Sequence, residues 1–205
     1  MIEVCGVDGA GKTTLISLTR GILRSDSGTR AYERAVRSES RNFMDMLGMH
    51  LGIDVPQRDF DLALTLDTAR AAVADFVAYR ARPHYHALVT HYRCDLVARL
   101  QVHGVADDDI VTAIAASIAE PDLAVLLEVP EDVALARITS RPQQDDVIRL
   151  ANPREAIAAQ AYELRRAFGA ARCPTIALDG TQPAGELASE VAAKVLSLVD
   201  GSDIY

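Results

Sequence analysis

Apolar residues in this chain follow two spacings that alternate from end to end. Ile2-Glu3-Val4-Cys5-Gly6 reads as a short strand. Arg30 to Tyr32, His86 to Thr90 and Pro174 to Leu178 read as further strands. Leu123 to Val129 is a near-continuous apolar run, the pattern of a parallel strand covered on both faces. Between these runs the spacing becomes helical. Lys12 to Leu23 carries Leu15, Leu18 and Ile22/Leu23 at a helical period. Asp59 to Tyr79 is the clearest helix, with Leu62, Leu66, Ala69, Val73 and Phe76 on one stripe. Arg82-Pro83 ends it. A helix runs on from His91, and another from Glu131 to Ser140, stopping at Pro142. Residues 142–152 are polar and without period. Asn152 is placed to cap a new helix, with Pro153 in its first turn. The last helix carries Leu187, Val191, Val195 and Leu198. Strands alternating with helices predict a parallel sheet with helices on both faces. Without an internal repeat or linker, residues 1–205 read as a single α/β domain.

Composition narrows the class. The 205 residues are 49% hydrophobic and 24% charged, enough for a real core, which excludes a disordered tail, a fibrous repeat and a disulfide-stapled miniprotein. A net charge of −8 argues against nucleic-acid binding, which needs a basic face. Cys5, Cys94 and Cys173 are odd in number and far apart, so reduced thiols in a cytoplasmic protein are expected. Met1 to Val7 has neither a basic region nor a long apolar stretch, so no signal peptide is expected. Leu123 to Leu127, the longest apolar run, is far short of a membrane span.

The chemistry begins after the first strand. Gly6-Val7-Asp8-Gly9-Ala10-Gly11-Lys12-Thr13 fits the phosphate-loop pattern G-x-x-x-x-G-K-[ST] between a strand and a helix. Glycines let backbone N–H groups approach phosphates, and the following helix points its positive end at the same place. Lys12 is one of only two lysines, Lys194 being the other. It reaches terminal phosphates as a point charge, and Thr13 can ligate Mg²⁺. Gly9, Ala10, Gly11, Lys12, Thr13 and Thr14 are thus the candidate nucleotide-phosphate residues. ATP is the expected nucleotide, because no guanine-reading N-K-x-D segment is present.

Asp8-Gly9-Ala10-Gly11-Lys12-Thr13-Thr14 resembles the D-G-x-G-K-T-T loop of the thymidylate kinase family of nucleoside monophosphate kinases. Further segments follow in the family's order. Arg30 to Arg34 is similar to the strand whose final arginine holds the acceptor phosphate. Leu66-Asp67-Thr68-Ala69-Arg70 resembles the helix whose arginine contacts the base. Pro121 to Val129 is similar to the family's fourth strand, and Leu178 to Gln182 resembles its loop near the adenine. Arg137 and Arg141 lead into a stretch, about 141–153, that resembles a mobile lid. The resemblance implies a phosphate-loop three-layer sandwich, five parallel strands in the order 2-3-1-4-5, a lid and a homodimer using the Asp59–Tyr79 helix. The family's Asp-Arg pair at the end of strand 3 is replaced by His91-Tyr92, with Arg93 one residue late and Gln101 at the matching distance. Leu66 stands where the family usually places an aromatic.

These readings define a candidate site. Lys12, Asp8, Arg137 and Arg141 are the expected catalytic residues. Arg149 and Arg154 could join them from the lid. The resemblance implies that a loop with Ala at position 10, lacking an arginine, uses lid arginines for charge neutralisation. Asp8, Glu33, Arg34, Leu66, Arg70, His91, Tyr92, Arg93 and Gln101 are the expected acceptor residues. A phosphate acceptor arrives anionic and needs no base, whereas an alcohol benefits from a carboxylate such as Glu33 or Asp8. Glu128 could hold a magnesium-bound water or be a plain strand-end carboxylate. His84, His86 and His91 lack a third ligand of matched spacing for a metal site. The expected function is ATP- and Mg²⁺-dependent phosphoryl transfer to a small-molecule acceptor, a nucleoside monophosphate of the pyrimidine type, with neither nucleic acid nor membrane as partner. The alternatives are a kinase for a nucleoside or other hydroxyl compound, and a nucleotide-binding regulatory domain without catalysis.

Overall fold

The structure is a computed structural model and describes residues 1–25, 30–35, 39–81, 85–141 and 150–200. Strands are β1 (Ile2–Cys5), β2 (Arg30–Ala35), β3 (Tyr85–Thr90), β4 (Leu123–Glu128) and β5 (Thr175–Asp179). Helices are α1 (Lys12–Ser25), α2 (Glu39–Leu51), α3 (Gln57–Ala81), α4 (Arg93–Val102), α5 (Asp109–Ser117), α6 (Glu131–Thr139), α7 (Pro153–Gly169) and α8 (Ala184–Asp200).

All pairings are parallel and the strand order is β2-β3-β1-β4-β5. Crossovers are right-handed as a rule, so the direction of each step along the sheet selects a face for its helix. The step from β1 to β2 runs one way. The steps β2 to β3, β3 to β4 and β4 to β5 run the other way. Helix α1 therefore lies opposite α3, α4 and α7. The packing agrees: α1 lies on α8, α4 on α7, and α3 on α5. Covered on both faces, β1 is wholly buried and β4 is buried up to Leu127. The apolar run Leu123 to Leu127 thus lies in the core, where each large side chain contributes roughly 1.5–3 kcal/mol of burial. Edge strand β5 is largely exposed.

Three elements differ from the sequence expectation. Helix α2 has no counterpart in the sequence expectation, and its Phe43, Met46 and Met49 are exposed. The helix expected from His91 onward is two helices. Gly104 adopts φ 69 after α4, and Asp108 caps α5 by accepting from the Ile110 and Val111 N–H groups. On α3, Leu66 and Val73 of the predicted core stripe are exposed. The helix buries Asp61, Thr65, Asp67, Thr68, Ala71 and Ala72 instead. Thr65 and Thr68 donate to the carbonyls of Asp61 and Leu64 one turn back, which makes burial of their hydroxyls affordable. Asp61 accepts from Gln57 and from Arg99 of α4, and pairs with His103 Nδ1 at 2.8 Å. Burial works to raise the Asp61 carboxyl, but these partners outweigh it and hold the group below the ordinary carboxylate range.

Among the described residues no helix is long and apolar enough to cross a membrane. Cys5, Cys94 and Cys173 are unpaired thiols.

Candidate functional site

The turn from β1 to α1 is built by its glycines. Gly9 has φ 81, and a Cβ there would come within 2.5 Å of the Ala134 carbonyl oxygen of α6. Gly6 has φ 153, and a Cβ there would come within 2.6 Å of the Leu127 carbonyl oxygen of β4. The loop can lie this close to its neighbours only because both positions lack a side chain. Ala10 N–H closes the turn on the Val7 carbonyl at 3.1 Å, and Leu15 N–H continues into α1 by bonding to the Gly11 carbonyl. No acidic residue sits in the first turn of α1, so its positive end is not neutralised from within.

Lys12 is buried, an unusual place for lysine. Its Nζ donates to the Gly6 carbonyl at 2.6 Å and the Val7 carbonyl at 3.2 Å, and lies 3.6 Å from Asp8 Oδ1. The ammonium is thereby fixed at the mouth of the loop. Thr13 and Thr14 are exposed on the first turn of α1.

Arg137, one of the expected catalytic residues, lies against the glycine loop. It donates from α6 to the Gly9 carbonyl at 3.4 Å, the Ala10 carbonyl at 3.2 Å and the Gly180 carbonyl at 3.0 Å. Its guanidinium braces the phosphate loop against the turn after β5. Arg141 is exposed just beyond α6, and Arg154 is exposed in the first turn of α7. Residues 142–149, which hold Arg149 and most of the expected lid, lie outside the described residues. Asn152 stands at the N-cap of α7 without a capping bond, its side chain donating to Glu155 at 3.1 Å instead. Glu128 accepts from Arg165 at 2.6 Å, which favours the strand-end carboxylate reading.

The acceptor residues divide. Glu33 on β2 lies 3.5 Å from Arg20 of α1. Arg34 is on β2 opposite Val89, and its side chain lies outside the described residues. Arg70 pairs with Glu39 at 3.3 Å, while Asp67 caps α2 through the Ser40 N–H at 2.9 Å, so this stretch of α3 holds α2. Leu66 is exposed beside it, as is Gln101 in the last turn of α4.

At the end of β3 the structure separates three neighbours. Tyr92, expected at the acceptor, is fully buried, and its hydroxyl donates to the Ala119 carbonyl at 2.9 Å. An apolar ring with one buried acceptor in reach fits a core position. Arg93 turns the same way, donating to the Ile118 carbonyl and lying 3.4 Å from Glu120. Both residues hold the segment leading into β4. His91 alone faces outward. Its side chain is 57% exposed and its φ is 55, in the left-handed region. Such a backbone costs of order 1–3 kcal/mol in a non-glycine residue and concentrates at functional sites.

Beneath His91 lies a polar cluster that sequence reasoning missed. Glu3 of β1 is fully buried, and its Oε1 accepts the N–H groups of Cys94 at 2.8 Å and Asp95 at 3.4 Å, capping α4. Asp95 is also buried and accepts the His91 N–H at 2.9 Å. Glu3 Oε2 and Asp95 Oδ1 have no hydrogen-bond partner. Burial pushes the Glu3 carboxyl well up, helped by the nearby Cys94 and Asp95 charges. Glu3 in a strand pattern gave a visible signal, a charge at an inward position of a central strand.

Among the described residues no group of three His, Cys, Asp or Glu side chains could hold a metal ion, and His84 lies outside them. Compared with known protein families and with curated proteins, the chain matches none.

Proposed function

We propose that the protein is an ATP-dependent phosphotransferase of the thymidylate kinase type, a phosphate-loop three-layer sandwich that transfers the γ-phosphoryl group to a nucleoside monophosphate. The observation that carries this reading is the buried Lys12 ammonium held on the carbonyls of a glycine loop at the positive end of α1. Phosphoryl transfer asks for positioning and charge neutralisation more than covalent chemistry. Loop N–H groups and Lys12 supply both for the donor phosphates. Mg²⁺ in such sites keeps several waters and takes few protein ligands, so the exposed Thr13 hydroxyl beside Lys12 fits it. Bound with ATP, it would neutralise phosphate charge. Arg137 fixes the loop, and Arg141 and Arg154, both exposed, are the arginines offered here to neutralise the transferring group. The exposed Leu66, Val73 and Val77 on α3 support a homodimer through that helix. Three unpaired thiols support a reducing, cytoplasmic setting.

A second acceptor class is favoured by one observation: Tyr92 is buried and the Arg93 guanidinium is engaged by the Ile118 carbonyl and Glu120 rather than left for an acceptor phosphate at the end of β3. A hydroxyl acceptor would instead need a carboxylate, and Glu33 is exposed on β2. Calorimetry with Mg·ATP, then ADP release across a panel of nucleoside monophosphates and nucleosides, tests both readings. Binding of ATP with turnover of a monophosphate is expected. Turnover of nucleosides alone, abolished by Glu33→Gln with ATP binding intact, would replace the first acceptor class by the second. No response to ATP would end both.

A further inference from the structure

We propose that the turn after β5 sets the nucleotide affinity of the glycine loop, acting through Arg137 as a positioning residue that ties the Gly180 carbonyl to the Gly9 and Ala10 carbonyls. The inference rests on the phosphotransferase reading. It adds a support for the loop on a segment distant in sequence, and it gives Arg137 no contact with the transferring group.

The loop needs such a support. Gly9 has φ 81 and Gly11 φ 106, so the peptide units between them are flanked by residues that turn either way at little steric cost. A peptide unit is planar and trans, so its C=O and the N–H that follows point to opposite sides. A carbonyl that is held therefore aims the next N–H. Arg137 holds the Gly9 carbonyl at 3.4 Å and the Ala10 carbonyl at 3.2 Å. The first hold aims the Ala10 N–H, which meets the Val7 carbonyl at 3.1 Å. The second turns the Gly11 N–H away from the guanidinium. Lys12 acts alike on the first half of the loop, donating to the Gly6 and Val7 carbonyls. Nucleotide phosphates meet the N–H groups of such a loop, and N–H groups ordered in advance reduce the cost of binding.

The far end of this strut is itself fixed. The second Nη of Arg137 donates to the Gly180 carbonyl at 3.0 Å. Gly180 is buried just beyond β5, and its N–H donates to the Glu128 carbonyl of β4 at 2.7 Å. A Cβ on Gly180 would come within 2.7 Å of Val129 Cγ1 and 3.0 Å of the Glu128 carbonyl oxygen. The Asp179 carboxylate closes the turn, accepting from the Thr181 N–H at 2.9 Å, the Thr181 hydroxyl at 2.6 Å and Gln182 Nε2 at 3.1 Å. The turn is thus seated on the end of β4 and stiffened from within. A guanidinium is a rigid planar fork, so displacing the Gly180 carbonyl moves the donor that holds the loop.

The test is calorimetry of Mg·ATP and Mg·ADP on wild type, Arg137→Ala, Gly180→Ala and the double variant, with melting curves showing that each is folded. Arg137→Ala should weaken both nucleotides about tenfold and by the same factor, because the loop N–H groups cradle phosphates that the two share. Gly180→Ala pushes the turn off β4 and should weaken both about threefold. The double variant should bind no more weakly than Arg137→Ala, since the strut is already lost. If Gly180→Ala does not fold, Asp179→Ala loosens the same turn and takes its place. A loss confined to Mg·ATP puts the guanidinium on the terminal phosphate and overturns the proposal. So does a double variant weakened by the product of the two single effects. Wild-type binding with affinity unchanged in Arg137→Ala, or in the turn variant, overturns this inference alone. No binding by wild type overturns it together with the reading of the loop.

Discussion

Two neighbouring strand ends make up the candidate site, and they are built by opposite means. After β1, the chain shapes a glycine turn from backbone. Gly6 and Gly9 let it lie against Leu127 and Ala134, and the buried Lys12 ammonium rests on backbone carbonyls. After β3, the surface is shaped by side chains. Glu3 caps α4 from the adjacent strand, Asp95 ties back His91, and Tyr92 and Arg93 turn inward. Backbone geometry needs few residue types and leaves a pattern in sequence. A side-chain cluster assembled across about 90 positions of chain leaves almost none. The glycine loop is therefore what a sequence pattern reveals, and the end of β3 is what only the fold assembles.

The comparison breaks most sharply at Lys12. Lys12→Met keeps the buried aliphatic stem and removes the charge. Turnover should fall by at least ~10³-fold, with the melting temperature nearly unchanged. Turnover near wild type would show that the donor end does not depend on the charge its backbone presents.

The support behind the acceptor end is next. Asp61 is buried between Gln57, Arg99 and His103, and links α3 to α4. Asp61→Asn leaves those partners with an uncompensated charge and should cost about 3 kcal/mol in urea unfolding at pH 7. The folded-state carboxyl lies below its unfolded value, so this stabilisation is present above the unfolded pKa and lost as pH falls through the folded one. The gap between wild type and variant should therefore close below about pH 4. A gap that stays constant through acid would assign the loss to packing.

Glu3 gives the smallest effect and the finest test. Its folded-state carboxyl is raised, so its stabilising contribution is present below the unfolded pKa and lost as pH rises through the folded value. Glu3→Gln keeps the carbonyl that accepts from Cys94 and cannot ionise. Urea unfolding should show the variant equal to wild type near pH 4 and more stable at pH 8. Equal stability at both would mean that Glu3 ionises in place without cost.

Legibility followed the same division. The buried strands are found within a residue or two, because β4 must be apolar throughout when both faces are covered. Gly104 and Asp108, which divide the helix after His91, are ordinary stop and start signals that a single long helix overlooks. Helix α3 misleads for a physical reason. Leu66 and Val73 of its apolar stripe are exposed and only Leu62 and Ala69 pack partly against the core, while Asp61, Thr65 and Thr68 go inside once hydrogen-bonded. Periodicity reports where apolar residues are. It does not report that polar ones have found partners. The same blindness hides Asp95 and makes Tyr92 and Arg93 look like surface chemistry.

The chain's local pattern determined the alternation of strands and helices, the glycine loop and the lysine at its mouth, since each depends on neighbours a few residues away. Tertiary structure decided which face of α3 is buried, that Arg137 braces the loop, and that His91 alone faces outward at the end of β3. Those outcomes depend on hydrogen-bond and charge partners brought together from distant strands and helices, and only the folded packing supplies them.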